Sequence, residues 1–362
     1  MADVSQLQPT QTNTNLPPTL PPGARRSVIV EFIVRYGMLV AIALLMVFFS
    51  TQNERFLEIN NLFLIARAAS ILTIVAIGVT LSVTVDGFDV SVGAVTGLSV
   101  LLSTSLMVIW NVDWGVAILI TLGAGLIVGL INAFFIIKLR IPDLLATLGM
   151  LYLAQGFQLM LTQGEAVFRG MYNPWSPERV QTTGEITVAF KQIGQGFVGA
   201  TGEFNGIPIP VILMLFIAIS AHIFLQYTRW GRMFYAVGGN REAARLSGIP
   251  VNRVRMFAYM LSALLATIAG IVLASRIGTG AIRSGDPYLL DAVAATFFGF
   301  AVLGARRPNV FGTVIGALFV GILLNGLTQM DVQWFFQDFI KGFVLIASLA
   351  MSFFLVKRNQ GG

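Results

Sequence analysis

The chain has 362 residues, of which 56% are hydrophobic and only 11% charged, with a formal net charge of +6. Charged residues make up about a quarter of an ordinary soluble domain, so the composition excludes that class and makes lipid the solvent for most of the chain. With no cysteine and the single histidine His222, disulfides, thiolate chemistry and a His/Cys metal cage are excluded as well.

Residues 1–27 are rich in Pro, Thr, Gln and Asn and read as a disordered tail, because they hold too little apolar surface to form a core. Residues 28–357 read as one transmembrane domain and 358–362 as a C-terminal tail. Apolar runs long enough to cross about 30 Å of hydrocarbon lie near 34–50, 63–85, 91–110, 115–137, 143–162, 209–227, 256–275, 288–304, 310–328 and 336–355. The expected fold class is therefore all-α, a polytopic membrane protein of about ten helical spans with both termini on one side. Placing the N-terminus in the cytoplasm puts 15 of the 23 Lys and Arg residues on that side, as the positive-inside rule demands. The basic charge is thus explained by topology and calls for no nucleic acid. The longest external loop, 163–208, has little apolar periodicity and is expected to be a periplasmic cap or contact surface. Five spans precede it and five follow. If the halves descend from a duplication, that odd number makes them inverted repeats.

Three polar stretches interrupt the apolar pattern. Asp86 and Asp89 flank Gly87 between two spans, where the helix is expected to break. Asp89 or Ser91 can cap the following helix; the same break can line a pathway, since irregular backbone at membrane depth is tolerated against a polar cavity. Asp286-Pro287 and Asp291 repeat this arrangement before the eighth span, with Pro287 suited to a first turn. His222, inside the sixth span, is either a proton relay or, as a lone histidine among neighbouring helices, a packing residue.

The loop 228–255 contains a local design. Asn240 can cap a short helix, Glu242 favours its N-terminal dipole, Ala243 and Ala244 provide a small-residue surface, and Gly248 and Pro250 end it. Such a helix, flanked by arginines and fixed to two spans, suits a groove on another protein; a membrane-surface helix held by anionic lipid fits equally. The chain contains no Gly-x-x-x-x-Gly-Lys-Ser/Thr phosphate loop, Gly-x-Ser-x-Gly elbow or His-Glu-x-x-His pair. It has no recognised nucleotide or hydrolase site.

Glu242-Ala243-Ala244 followed by Gly248 has the form Glu-Ala-Ala-x-x-x-Gly, set between Tyr235-Ala236-Val237-Gly238-Gly239-Asn240 and Arg245-Leu246-Ser247-Gly248-Ile249. At these residues the sequence resembles the permease subunits of ribose-type sugar ABC importers. The resemblance continues through Phe88-Asp89-Val90-Ser91-Val92-Gly93, Ala146-Thr147-Leu148-Gly149-Met150, Tyr288 to Ala295, Asn325-Gly326 and Lys341-Gly342, and covers about residues 35–356. It implies a non-catalytic, multi-pass subunit of the bacterial inner membrane, with no cofactor in this chain and with ATP and Mg bound by a separate ABC ATPase subunit. A periplasmic sugar-binding protein, a second permease copy and membrane lipid are the other implied partners. Gly239, Asn240, Glu242, Ala243, Ala244 and Gly248 are then the expected ATPase-docking residues. Asp89, Ser91, Thr147 and Asn325, polar in apolar context, are the expected pathway residues.

Two departures stand out. Asp86 occupies a position where the family usually has Gly, and Gly304-Ala305-Arg306-Arg307-Pro308-Asn309 replaces a glycine-rich turn. Arg306 and Arg307 are expected to touch the ATPase, a lipid headgroup or the other permease copy. The alternatives to a sugar importer are a branched-chain amino-acid or nucleoside importer permease and an ion-coupled carrier, the latter disfavoured by the scarcity of buried acids.

Overall fold

The computed structural model describes residues 28–201, 205–301, 307–333, 335–343 and 346. The two predicted tails, Arg306 and the end of the tenth predicted span lie outside these residues. Where no water can reach the backbone, every N–H and C=O must be paired internally, and helices do this within one segment. The chain accordingly runs through α1 (Val28–Gln52), α2 (Ile59–Thr84), α3 (Val92–Val108), α4 (Trp114–Ile137) and α5 (Asp143–Thr162). It continues through α6 (Val188–Gln195), α7 (Ile209–Tyr227), α8 (Arg229–Gly239), α9 (Arg241–Leu246), α10 (Val251–Ile277), α11 (Asp286–Ala301) and α12 (Val310–Gln329), and is helical again over 335–343. A two-stranded hairpin, Phe197–Val198 with Ile207–Pro208, is the only sheet among the described residues. Six helices, α2, α4, α5, α7, α10 and α12, are long and apolar enough to cross a membrane, and α1 and α3 hold shorter apolar stretches. The protein is an all-α polytopic membrane protein.

The centre is the antiparallel pair α2 and α10. Helix α2 packs on α10, α11 and α12, and α10 packs on α2, α3 and α4. Each central helix thus leans on the helices that follow the other one. Close approach comes from small residues, which allow van der Waals contact between helices where no water drives association. Gly299 of α11 meets Gly312 of α12 backbone to backbone, and a Cβ on Gly129 of α4 would press on the backbone of Met260 in α10. Buried hydroxyls are paired across the same seams, as in Thr80 with Thr313 at 2.7 Å. Helices α4, α5 and α7 turn large apolar side chains outward, among them Leu119, Tyr152 and Phe216.

Two regions have more structure than their sequence announces. The loop 163–208 contains α6, which buries Phe190, sets Gly194 against Ser275 and Arg276 of α10, and receives a 2.7 Å hydrogen bond on the Gly194 carbonyl from Arg67 of α2. One short helix is predicted in the loop 228–255, and the structure has two. Helix α8 contains Gly231, Gly238 and Gly239, which lower its intrinsic propensity. It forms because Thr228 caps it at Gly231 N and because Phe234 and Val237 are buried against neighbours.

Candidate functional site

Helix α9 begins as its sequence requires. The Asn240 side chain accepts from Ala243 N at 2.9 Å, and Gly248, at φ +80°, turns the chain out of the helix before Pro250. The loop is fastened to the rest of the protein at two points. Gly238 lies against the Thr84 carbonyl at the end of α2, where a Cβ would collide with it. Arg241 donates through Nη2 to the Asp86 carbonyl and lies 3.1 Å from the Asp86 carboxylate and 3.9 Å from that of Asp143. Asp143 begins α5. Its two oxygens accept from Arg255 Nη2 of α10 at 2.6 Å each, and Oδ2 also accepts from the Tyr259 hydroxyl. Three carboxylate-guanidinium contacts therefore tie the loop, the α2–α3 break, the start of α5 and the start of α10 together.

Asp86 adopts φ +56°, a left-handed conformation that L-residues other than Asn and Asp rarely take. Such backbone suits the glycine that the family resemblance leads one to expect there. The carboxylate adds an anchor for Arg241 at the same backbone position.

Behind this corner the α2–α3 break is sealed. Asp89 is fully buried and accepts from Ser91 N at 3.0 Å, Ser91 Oγ at 2.6 Å and Ser262 Oγ at 2.8 Å. Asn132 of α4 donates to Ser91 Oγ at 3.0 Å, and Thr147 of α5 donates to the Asp143 carbonyl at 2.9 Å and touches the backbone at Phe88 and Val90. Burial raises the Asp89 carboxyl above the ordinary carboxylate range, and the hydrogen bonds from Ser91 and Ser262 draw it back. It is Asp89 that accepts at the entry to α3; the Ser91 side chain makes no capping bond to the helix.

The α10–α11 break leaves the opposite end of the central pair, folds back until Gly285 lies against Gly93 and Gly97 of α3, and is open. A cavity of about 370 Å³ is lined by Asp286, Leu290, Phe298 and Asp338, and one of about 580 Å³ by Arg276, Ser284, Tyr288, Asn325 and Thr328. Both share Pro287, Asp291 and Lys341. Lys341 stands 3.6 Å from Asp291 and 3.2 Å from Asp338. Asp286 Oδ2 accepts from Gln155 of α5 at 3.0 Å, while its Oδ1 and the Ser284 hydroxyl are buried without a partner. Asn325 accepts from Gln329, which also donates to Asn61 and accepts from Asn53, a row of amides on the cavity's side of α12. Carboxylate, amide, hydroxyl, ammonium and guanidinium groups beside one aromatic ring can bond a neutral polyol from several sides.

Of the residues expected to line a pathway, Asn325 alone borders one of these cavities. Asp89, Ser91 and Thr147 lie in the sealed core with their polar atoms paired. Of those expected to dock a partner, Gly239, Asn240, Glu242, Ala243 and Gly248 are exposed, whereas Ala244 faces inward and is buried. Leu246, three residues after Ala243 and 78% exposed, shares the outward face. Gln155 and Gln158, three apart in an apolar span, were the available signal for the open corner: the buried Gln158 bonds Ala94 O and Arg283 N. Arg307 turns to its own chain, its guanidinium 4.7 Å from the centre of the Tyr235 ring and 3.4 Å from Gln226. Burial raises the Tyr235 hydroxyl above the ordinary phenol range, and Arg307 opposes this. His222 packs against Phe311, ring centres 4.3 Å apart.

A family model described as branched-chain amino acid transport system / permease component matches residues 61–349. The ribose import permease protein RbsC of Escherichia coli (strain K12) is 33% identical over 325 residues, 90% of this chain and 95% of that protein. RbsC of Bacillus subtilis (strain 168) is 33% identical over 318 residues, covering 88% and 92%. The xylose transport system permease protein XylH of Haemophilus influenzae (strain ATCC 51907 / DSM 11121 / KW20 / Rd) is 30% identical over 356 residues, covering 87% and 94%. No solved structure matches the chain.

Proposed function

The chain belongs to the ABC-importer permease family, in its ribose-type sugar branch, and on that premise we propose that it forms the translocation path for a pentose, hexose or related polyol and couples that path to a separate ATPase. In this reading about ten spans cross the bacterial inner membrane with both termini in the cytoplasm. The loop 228–255 lies on the cytoplasmic side and the open cavities face the periplasm. A second permease copy completes the membrane unit, a periplasmic binding protein delivers the sugar, and the partner ATPase binds ATP and Mg.

The observation that carries the reading is the fastening of the loop. Glu242, Ala243 and Leu246 offer an outward face, while Gly238 on Thr84 and Arg241 on Asp86 transmit any push on that face to the end of α2. Asn325, Asp291 and the unpartnered Ser284 and Asp286 oxygens supply hydroxyl-binding groups at the other end. The packing of α2 on α11 and α12, and of α10 on α3 and α4, supports two five-span units in inverted orientation, which would exchange helices in this way.

The test is reconstitution with an ATPase subunit and a sugar-binding protein encoded beside it, measured as uptake of radiolabelled pentoses, hexoses, polyols and branched-chain amino acids. The expected result is sugar uptake that stops without ATP and persists when the ion gradient is collapsed. Uptake that follows the ion gradient overturns it, and uptake of amino acids in place of sugars reassigns the cargo. Glu242→Ala with Leu246→Asp is expected to abolish ATPase assembly while leaving the chain inserted.

A further inference from the structure

Between the coupling loop and the α4–α5 corner lies a third cavity, about 470 Å³, whose polar lining is Arg140, Arg241, Arg245, Arg255, Asp143 and Asn252. The chemistry of this lining is unbalanced. Asp143 neutralises Arg255, Asp86 pairs with Arg241 and Glu242 with Arg245, which leaves Arg140 with no ion pair among the described residues.

The pairs also use few of the donors. A guanidinium has five N–H groups in a planar fork, and in each of the three pairs the carboxylate is met by Nη2 alone. Arg255 is only 9% exposed, and its Nε is buried without a hydrogen-bond partner; the Nε of Arg241 is buried and unpartnered too. A buried charged donor left unbonded is costly, and these two border the same cavity. The missing partner is an acceptor with several oxygens and at least one negative charge. Guanidinium forks match phosphate and carboxylate oxygens in pairs, and basic pockets between membrane helices at the cytoplasmic side take lipid phosphate. Isoleucines of the α4–α5 corner complete the lining, and Leu139, Leu144 and Leu145 beside them are exposed, a surface suited to an acyl chain.

We propose that this cavity is a phosphate-binding site that joins the coupling loop, through Arg241 and Arg245, to the α4–α5 corner and α10, through Arg140 and Arg255. The phosphate is that of an anionic lipid headgroup or a free ion in the cytoplasm. Occupancy adds a shared anion to elements that already meet at Asp143, at Asp86 and through Trp230 on Phe257, so it stiffens the route from loop to spans. This inference needs only the cavity and its arginines; it stands or falls apart from the nature of the transported cargo.

The experiment uses the full-length chain, without ATPase, in nanodiscs of phosphatidylcholine alone or with one-fifth phosphatidylglycerol, and reads thermal unfolding. Phosphatidylglycerol, or inorganic phosphate added to phosphatidylcholine discs, is expected to raise Tm by about 3 °C, as ligand linkage predicts for a chain of this size. Arg140→Gln and Arg245→Gln are each expected to remove most of that shift, and Arg229→Gln, an exposed arginine of the same loop outside the cavity, to keep it. A shift with phosphatidylglycerol alone identifies lipid as the source, and one reproduced by phosphate identifies the free ion. A shift that survives both cavity variants, or that Arg229→Gln removes equally, reduces the effect to diffuse surface charge and overturns the site. So does the absence of a shift with either phosphatidylglycerol or phosphate.

Discussion

The α2–α3 break and the α10–α11 break are built alike and finished differently. Each follows one helix of the central pair, each holds a non-glycine residue in left-handed backbone, Asp86 at φ +56° and Arg283 at φ +55°, and each carries a carboxylate at the entry to the next helix. At the first, every oxygen of Asp89 is bonded within the chain, and the corner is braced by Arg241, Arg255 and Asp143. At the second, Asp286 keeps one oxygen unpartnered and two cavities open beside it. The same device is closed in one break and open in the other, so on the proposed function a permease that alternates access need not contain two kinds of gate. Exchanging which break is bonded would suffice.

Substitutions at the two breaks should therefore differ in kind, and the contrast can be broken from either side. Asp143→Asn should have the largest effect, leaving Arg255 buried without its counter-charge and costing about 3–5 kcal/mol; thermal unfolding in detergent measures it, and a change under about 1 kcal/mol would mean the corner is solvated. Asp89→Ala removes three donated hydrogen bonds from a buried site and should cost about 2–3 kcal/mol in the same assay. Gly238→Ala should cost about 1–3 kcal/mol through the clash with Thr84, while Gly239→Ala, with open space around it, stays within about 0.5 kcal/mol. If these neighbours behave alike, the loop does not bear on α2 as described. At the open corner, Asn325→Ala should leave Tm unchanged and raise the KM for uptake about 3- to 10-fold, the worth of one hydrogen bond. Asp86→Gly should be the smallest: relief of left-handed backbone offsets a half-exposed ion pair, for a net of about 0.5 kcal/mol or less.

The loop 228–255 was far more legible than either break. Asn240, Glu242, Gly248 and Pro250 announce α9 because capping and helix termination are local chemistry, written in adjacent residues. Even there the inward turn of Ala244 and the outward turn of Leu246 depend on which side of a short helix meets the spans, which no spacing rule supplies. The open break gathers Asn325, Asp291, Arg276, Ser284 and Lys341 from separate stretches of chain, and polarity alone groups Asp89, Ser91 and Thr147 with Asn325, whereas packing buries those three at the α2–α3 break. Helix α6 was missed for a similar reason: eight residues offer too few turns for periodicity, and its stability comes from tertiary packing, with Phe190 buried and Gly194 against α10.

Helix α10 touches both corners. Arg255 lies one turn from its start in the ion cluster, and Arg276 near its end lines the larger cavity. Its 27 residues make a rod about 40 Å long. Pivoted at one end, such a rod moves its far tip by roughly 3 Å for a tilt of roughly 5°, the length of a hydrogen bond. A displacement too small to disturb the helix's own ladder is thus enough to make or break one hydrogen bond at the far end, which makes α10 a lever whose precision depends on its stiffness.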